Sequence, residues 1–144
     1  MVAVVAFLGV TIATSAPALA LAAGCQTTSS FSYAVGGTTI KVPTSMLCHG
    51  VTGSGKTITH TRATFGSTSI KTQICNWRID WVYYNTSGNE YRRSTGATQN
   101  SCAWYFQLCR NDGTDRSLAY YGKACAQFYD NGTLRGKQCH SITA

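Results

Sequence analysis

Gly50-Val51-Thr52-Gly53-Ser54-Gly55-Lys56-Thr57 matches the P-loop pattern letter for letter. That chemistry needs a strand before the loop and a helix after it, so that backbone N–H groups and the helix N-terminus cradle phosphate. Here Ile58-Thr59-His60-Thr61-Arg62-Ala63-Thr64-Phe65 follows, and it alternates like a strand. No hydrophobic strand ending in a metal-binding Asp stands out as a partner. The stretch therefore reads as a glycine-rich hairpin loop, and nucleotide binding is not expected. Three histidines, His49, His60 and His140, are of the type a secreted ribonuclease uses for general acid–base work. No spacing brings two of them together, although His49 and His140 each adjoin a cysteine and would approach if those bridges cluster. Neither an HxxxH nor a CxxC spacing marks a metal site, and no GxSxG marks a nucleophile. The expectation is a non-enzymatic chain with no metal and no cofactor.

The seven cysteines read as a disulfide framework with one left over. Sequence alone allows many connectivities, and hairpin geometry narrows them. If a strand starting at Cys75 turns at Ser87-Gly88-Asn89, opposed residues have numbers summing to about 177. Cys75 and Cys102 satisfy that register, which also sets Trp81 against Gly96. A turn at Asn131-Gly132 gives a sum of about 263, which Cys125 and Cys139 miss by one, as a β-bulge would explain. Cys48 and Cys109 then pair by elimination. Cys25 is the odd cysteine: free, lipidated, or lost with a leader.

The strand from Cys75 to Tyr83 puts Cys75, Trp77, Ile79, Trp81 and Tyr83 on one face, which must be core. Asn76, Arg78, Asp80 and Val82 take the other face, expected to be at least half exposed. Arg93 and Thr95 lie opposite this face in the same register, and Tyr84 extends it. A polar cross-strand ladder is the plainer reading. As a contact surface, Arg78, Asp80, Tyr84 and Arg93 are the candidate binding residues, because Arg and Tyr are favoured in interface hot spots. Gln26 to Pro43 carries a single charge and a β-prone centre, Phe31-Ser32-Tyr33-Ala34-Val35. It is either an ordinary first strand or an extension that adds a strand to another protein's sheet edge, with Phe31 and Tyr33 making contact.

These residues need strands to position them. Turn signals recur at Gly36-Gly37, Gly53-Ser54-Gly55, Ser87-Gly88-Asn89, Asn111-Asp112-Gly113 and Asp130-Asn131-Gly132. Between them run short segments rich in Thr, Ile, Val, Tyr and Trp, the pattern of an all-β fold. The expected architecture is a small disulfide-stabilised antiparallel sandwich or barrel-like domain. Only Leu118 to Phe128 would tolerate a short helix. The sequons at Asn85-Thr86-Ser87 and Asn131-Gly132-Thr133 fall in turns, as chance predicts.

Residues 1–22 read as a signal peptide: an apolar run from Val2 to Val10, then small residues allowing cleavage after Ala20 or Ala22. The first charge in the chain is Lys41. No Lys or Arg precedes the apolar run, as a complete signal peptide would require. Leu21-Ala22-Ala23-Gly24-Cys25 approaches a lipoprotein box, with its Leu one position too far upstream. Simple secretion is the better reading, with no membrane span left after the leader is removed. Residues 23–44 form an N-terminal extension or first strand, and 45–144 a disulfide-stapled β domain. All 12 basic and 5 acidic side chains fall after the leader, so its +7 charge favours anionic partners.

Cys-Asn-Trp-Arg-Ile-Asp-Trp at 75–81, Tyr-Gly-Lys-Ala-Cys at 121–125 and Gln-Cys-His-Ser-Ile at 138–142 resemble small secreted cysteine-rich proteins of streptomycetes and related actinobacteria. Within that group the chain is similar to the adaptor subunit of umbrella toxin particles, which links a surface-recognising subunit to the toxin stalk by strand complementation. The resemblance covers residues 45–142. It implies an adaptor bound to other secreted proteins, with Gln26–Pro43 as strand donor. The competing classes are a basic antimicrobial or nuclease-like effector acting on anionic polymers, and an inhibitor of a secreted hydrolase.

Overall fold

The computed structural model describes residues 20–144. The signal peptide read at 1–22 lies outside the described residues up to position 19. Every regular element among the described residues is a strand. In chain order they are β1 (Ala20–Thr28), β2 (Phe31–Val35), β3 (Thr38–Val42), β4 (Ser45–Ser54), β5 (Thr57–Gly66), β6 (Thr72–Ile74) and β7 (Trp77–Asn85). Then follow β8 (Glu90–Ser94), β9 (Ala103–Tyr105), β10 (Gln107–Asp112), β11 (Arg116–Ser117), β12 (Gly122–Asp130) and β13 (Thr133–Ile142). One sheet has the order β1-β4-β5-β10, with β11 also on β5; the other has the order β13-β12-β7-β8. Two ribbons, β2-β3 and β6-β9, complete the molecule. All pairings are antiparallel. The fold is the expected all-β sandwich stabilised by disulfides, and it does not close into a barrel.

Alternation explains the two layers. Leu47, Val51, Ile58, Ala63, Phe65 and Leu108 point inward from one sheet; Ile79, Trp81, Tyr83, Ala124, Ala126 and Phe128 point inward from the other. Phe65 and Phe128 stack across the gap with ring centroids 3.7 Å apart. The P-loop-like segment is a β4–β5 hairpin turning at Gly55-Lys56, as its strand-like flank predicts. Leu118 to Phe128 contains no helix; β12 occupies most of it.

Register settles the bridges. Cys125 and Cys139 are directly opposed and bonded. The ladder shifts between Phe128 and Tyr129, so Arg135 is the extra residue the bulge requires. Cys75–Cys102 also forms, but on a different ladder from the one expected. The sum of 177 belongs to β6-β9, where Ile74 faces Ala103. Asn76 adopts a φ of 49° and breaks the expected continuous strand. β7 then pairs with β8 in another register, in which Trp81 faces Ser94 and not Gly96. Gly96 is needed for a separate reason: a Cβ there would strike the Ile79 carbonyl.

The Cys48–Cys109 pair does not form. Cys48 bonds Cys25, its direct partner across β1-β4, and Cys109 is free and exposed. Thr64 of β5 sits opposite both Cys48 and Cys109. Two strand spacings, about 9–10 Å, therefore separate them, beyond the roughly 7 Å a disulfide can span. Elimination failed because Cys25, set aside there as the odd cysteine, lies on β1 directly beside Cys48.

Candidate functional site

The outward face of β7 carries the expected residues in an unexpected state. Asp80 and Val82 are fully buried. Val82 lies in a cross-strand row between Cys125 and Arg93, so the Cys125–Cys139 bridge and the Arg93 side chain cover it. Asp80 is a hub. One oxygen accepts from the Gly96 backbone N–H at 3.0 Å and from Arg78 Nε at 3.1 Å, and the other from Arg93 Nη1 at 3.1 Å. Arg93 also donates to Gln127 Oε1, Tyr129 and both oxygens of Glu90. Glu90 is held below the usual carboxylate range by those bonds. The Arg78 guanidinium lies 4.1 Å from the Tyr129 ring centroid, and Tyr84 accepts from Gln127 Nε2 while its ring faces Lys137. Arg78, Asp80, Tyr84 and Arg93 are therefore brought together, and their polar groups are mostly satisfied by one another. The ladder reading accounts for this face.

The lead is not a free strand donor. β1 is zipped to β4 and stapled by Cys25–Cys48, while β2 and β3 form their own hairpin. Tyr33 is buried, its hydroxyl accepting from the Cys75 backbone N–H at 2.8 Å, and Phe31 packs against the core. The lead is thus built into the fold, with β1 at one edge of its sheet and β2-β3 as a separate ribbon.

Two histidines do converge, as their neighbouring cysteines hinted. The rings of His49 and His140 lie 5.1 Å apart, and His140 Nε2 bonds the His49 carbonyl at 2.7 Å. His49 is only 2% exposed, stacks on Trp81 and bonds Thr61 through Nε2. Burial, reinforced by the charge of His140, lowers its pKa to about 3. It is a neutral core residue, closed to substrate. Among the described residues no group of His, Cys, Asp or Glu has metal-binding geometry.

What the sequence reading missed is the β6-β9 ribbon. Trp104 is 64% exposed, Ile70 53% and Phe106 46%. Tyr105, between the two exposed aromatics, turns inward and packs edge-on against Trp77 at 6.3 Å. Lys71 holds its ammonium 5.1 Å from the Phe106 ring centroid. Gln73 lies opposite Trp104, and the Cys75–Cys102 bridge closes the ribbon's far end. The result is a braced platform with bare aromatic surface. Its signal was the run Trp104-Tyr105-Phe106, separated from Cys102 by one residue, in which alternation must send one ring in and two out.

The chain matches no protein-family model, and no curated protein or solved structure is similar enough to register as a match. Three disulfides mark a fold formed in an oxidising environment, as expected of an extracellular protein. No helix among the described residues is long and apolar enough to cross a membrane.

Proposed function

We propose that the chain is a secreted, non-enzymatic binding module that docks onto another secreted protein through the β6-β9 platform. The observation that carries this reading is Trp104, an indole left 64% exposed on a ribbon braced by a disulfide. Large aromatic side chains dominate interface hot spots, and a pre-ordered ribbon loses little entropy on binding. The resemblance to umbrella-particle adaptors supplies the class of assembly: an extracellular complex in which this subunit bridges others. Strand addition, if used, falls to an open sheet edge such as β8 or β1, each at the end of its sheet.

The test is purification of the chain from culture supernatant at native levels. The wild type is expected to co-elute with a larger secreted protein, and Trp104→Ala to elute alone with its melting temperature unchanged. A wild-type monomer that hydrolyses RNA, with loss of activity in His140→Ala, would reverse the reading in favour of an effector.

A further inference from the structure

At the far end of β7 from the platform, Tyr84 and Asn85 line an open cleft of about 730 Å³ with Tyr121, Lys123 and Lys137. Trp77, which backs the platform, begins β7, and Tyr84 lies seven positions further along the strand. At strand rise that is about 23–25 Å, so both ends can be occupied at once.

The charges divide in a way that leaves this cleft positive. Every ion pair among the described residues uses an arginine: Arg78, Arg93, Arg116 or Arg135. The lysines have no carboxylate partner. Lys137, in the lining, is instead oriented by the Tyr84 ring at 4.0 Å from its centroid, and Lys56, outside the lining, sits 5.6 Å from the centroid of Tyr121. Rings can steer ammonium groups in this way without neutralising them. No side chain lining the cleft is acidic, and the terminal carboxylate of Ala144, which also lines it, forms no ion pair with a lysine. Glu90 senses Lys137 electrostatically but is bound to Arg93 by two 2.8 Å contacts. The rest of the lining mixes hydroxyl and amide groups, from Asn85, Thr86, Ser87, Ser141 and Thr143, with the apolar Cys139, Ile142 and Ala144. Gly122, at a φ of 145°, has its backbone against the Tyr84 carbonyl where a Cβ would not fit.

From this we infer that the cleft is a binding site for a carbohydrate chain bearing phosphodiester or carboxylate groups. Unneutralised ammonium groups meet the anions, and the hydroxyl and amide rim meets the polyol. Single-stranded nucleic acid is the poorer fit. Its bases need open aromatic faces for stacking, and a lysine lies over one face of each of these rings. The site is independent of the platform, and its test is separable from the test of docking.

The full secreted chain would be titrated with poly(glycerol phosphate), polygalacturonate, neutral dextran and a dT oligonucleotide, at low and physiological salt. Binding of one or both charged glycans is expected, weakening with salt, with dextran silent; which glycan binds identifies the source of the anion. Lys123→Gln with Lys137→Gln should weaken that binding about tenfold or more, since two of the site's direct charges are lost. The control pair Lys41→Gln with Lys71→Gln, and Trp104→Ala, should leave it within about twofold, a difference too small to mark a direct contact. An unchanged melting temperature excludes misfolding as the cause. The inference is overturned if neither charged glycan binds, if the control pair weakens binding equally, or if the oligonucleotide binds more tightly than both glycans.

Discussion

Asp130 is fully buried near the β12–β13 turn, with neither carboxylate oxygen in a hydrogen bond of good geometry. Its closest charged partner is Arg135 Nη2 at 3.6 Å, and the Arg135 guanidinium is itself drawn over the Phe31 ring. Burial outweighs that cation and raises the carboxyl pKa to about 6. In the unfolded chain the same group titrates near about 3.9, so the folded state holds its proton more tightly. Its contribution to stability is therefore complete below about pH 4 and is lost as pH rises through about 6. His49 acts with the opposite sign. Its folded pKa of about 3 lies below the unfolded value of about 6.5, so its contribution is complete at neutral pH and is lost on acidification. The two slopes oppose each other between about pH 4 and 6. Asp130→Asn should stabilise the protein at pH 7.5 by on the order of 1–2 kcal/mol. It should also uncover the His49 slope, with stability falling steadily below about pH 6. Urea titrations of both proteins from pH 4 to 8 check this, and parallel pH profiles would contradict it. Asp80 differs because its oxygens are satisfied. Asp80→Ala strands the Gly96 N–H and two guanidinium groups, and should cost about 2–3 kcal/mol in the same measurement.

At the scale of the element, β1 makes the clearest prediction. Non-reducing peptide mapping should recover Cys25 joined to Cys48, and a maleimide should label only Cys109 in the native protein. Labelling at Cys25 would mean that β1 is not zipped to β4. The turns, the inward face of β7 and two bridges were legible in the sequence because each depends on local chemistry. Gly36-Gly37 and Asn131-Gly132 supply positive φ, and period-two alternation puts Trp77, Ile79 and Trp81 inside. What was not legible depends on neighbours. A single αL residue, Asn76, moved the 177 register from one ladder to another, and no periodicity announces such a break. Val82 has the pattern of a surface position and is buried because its row holds a disulfide and a long arginine. The converse holds for Trp104, exposed because nothing among the described residues packs against its side of the ribbon. Of the candidate site, the histidine pair was hinted at, the Asp80 network was half seen, and the platform was missed.

For the whole molecule, the two layers meet through a few large side chains, and the side between β8 and β10 is closed by a charge. Arg110 points inward from β10, donates to the Ile79 and Ser94 carbonyls at 2.8 Å, and sits over the Trp81 ring. An inward arginine on an edge strand satisfies carbonyls there and discourages edge-to-edge pairing with other chains. Arg110→Leu should therefore lower solubility as well as stability, seen as a larger species in light scattering at concentrations where the wild type stays monodisperse. Phe128→Ala removes one half of the stacked pair that joins the sheets and should cost about 3–5 kcal/mol. The row Cys25, Cys48, Thr64, Cys109 carries a last consequence, for oxidative assembly. With β5 in place Cys48 can reach Cys25 but not Cys109; before β5 inserts, both thiols compete for it. A chain isolated with Cys48 joined to Cys109 is thus a covalent record of a molecule that oxidised before its central strand arrived, and the ratio of the two isomers times strand insertion against thiol chemistry.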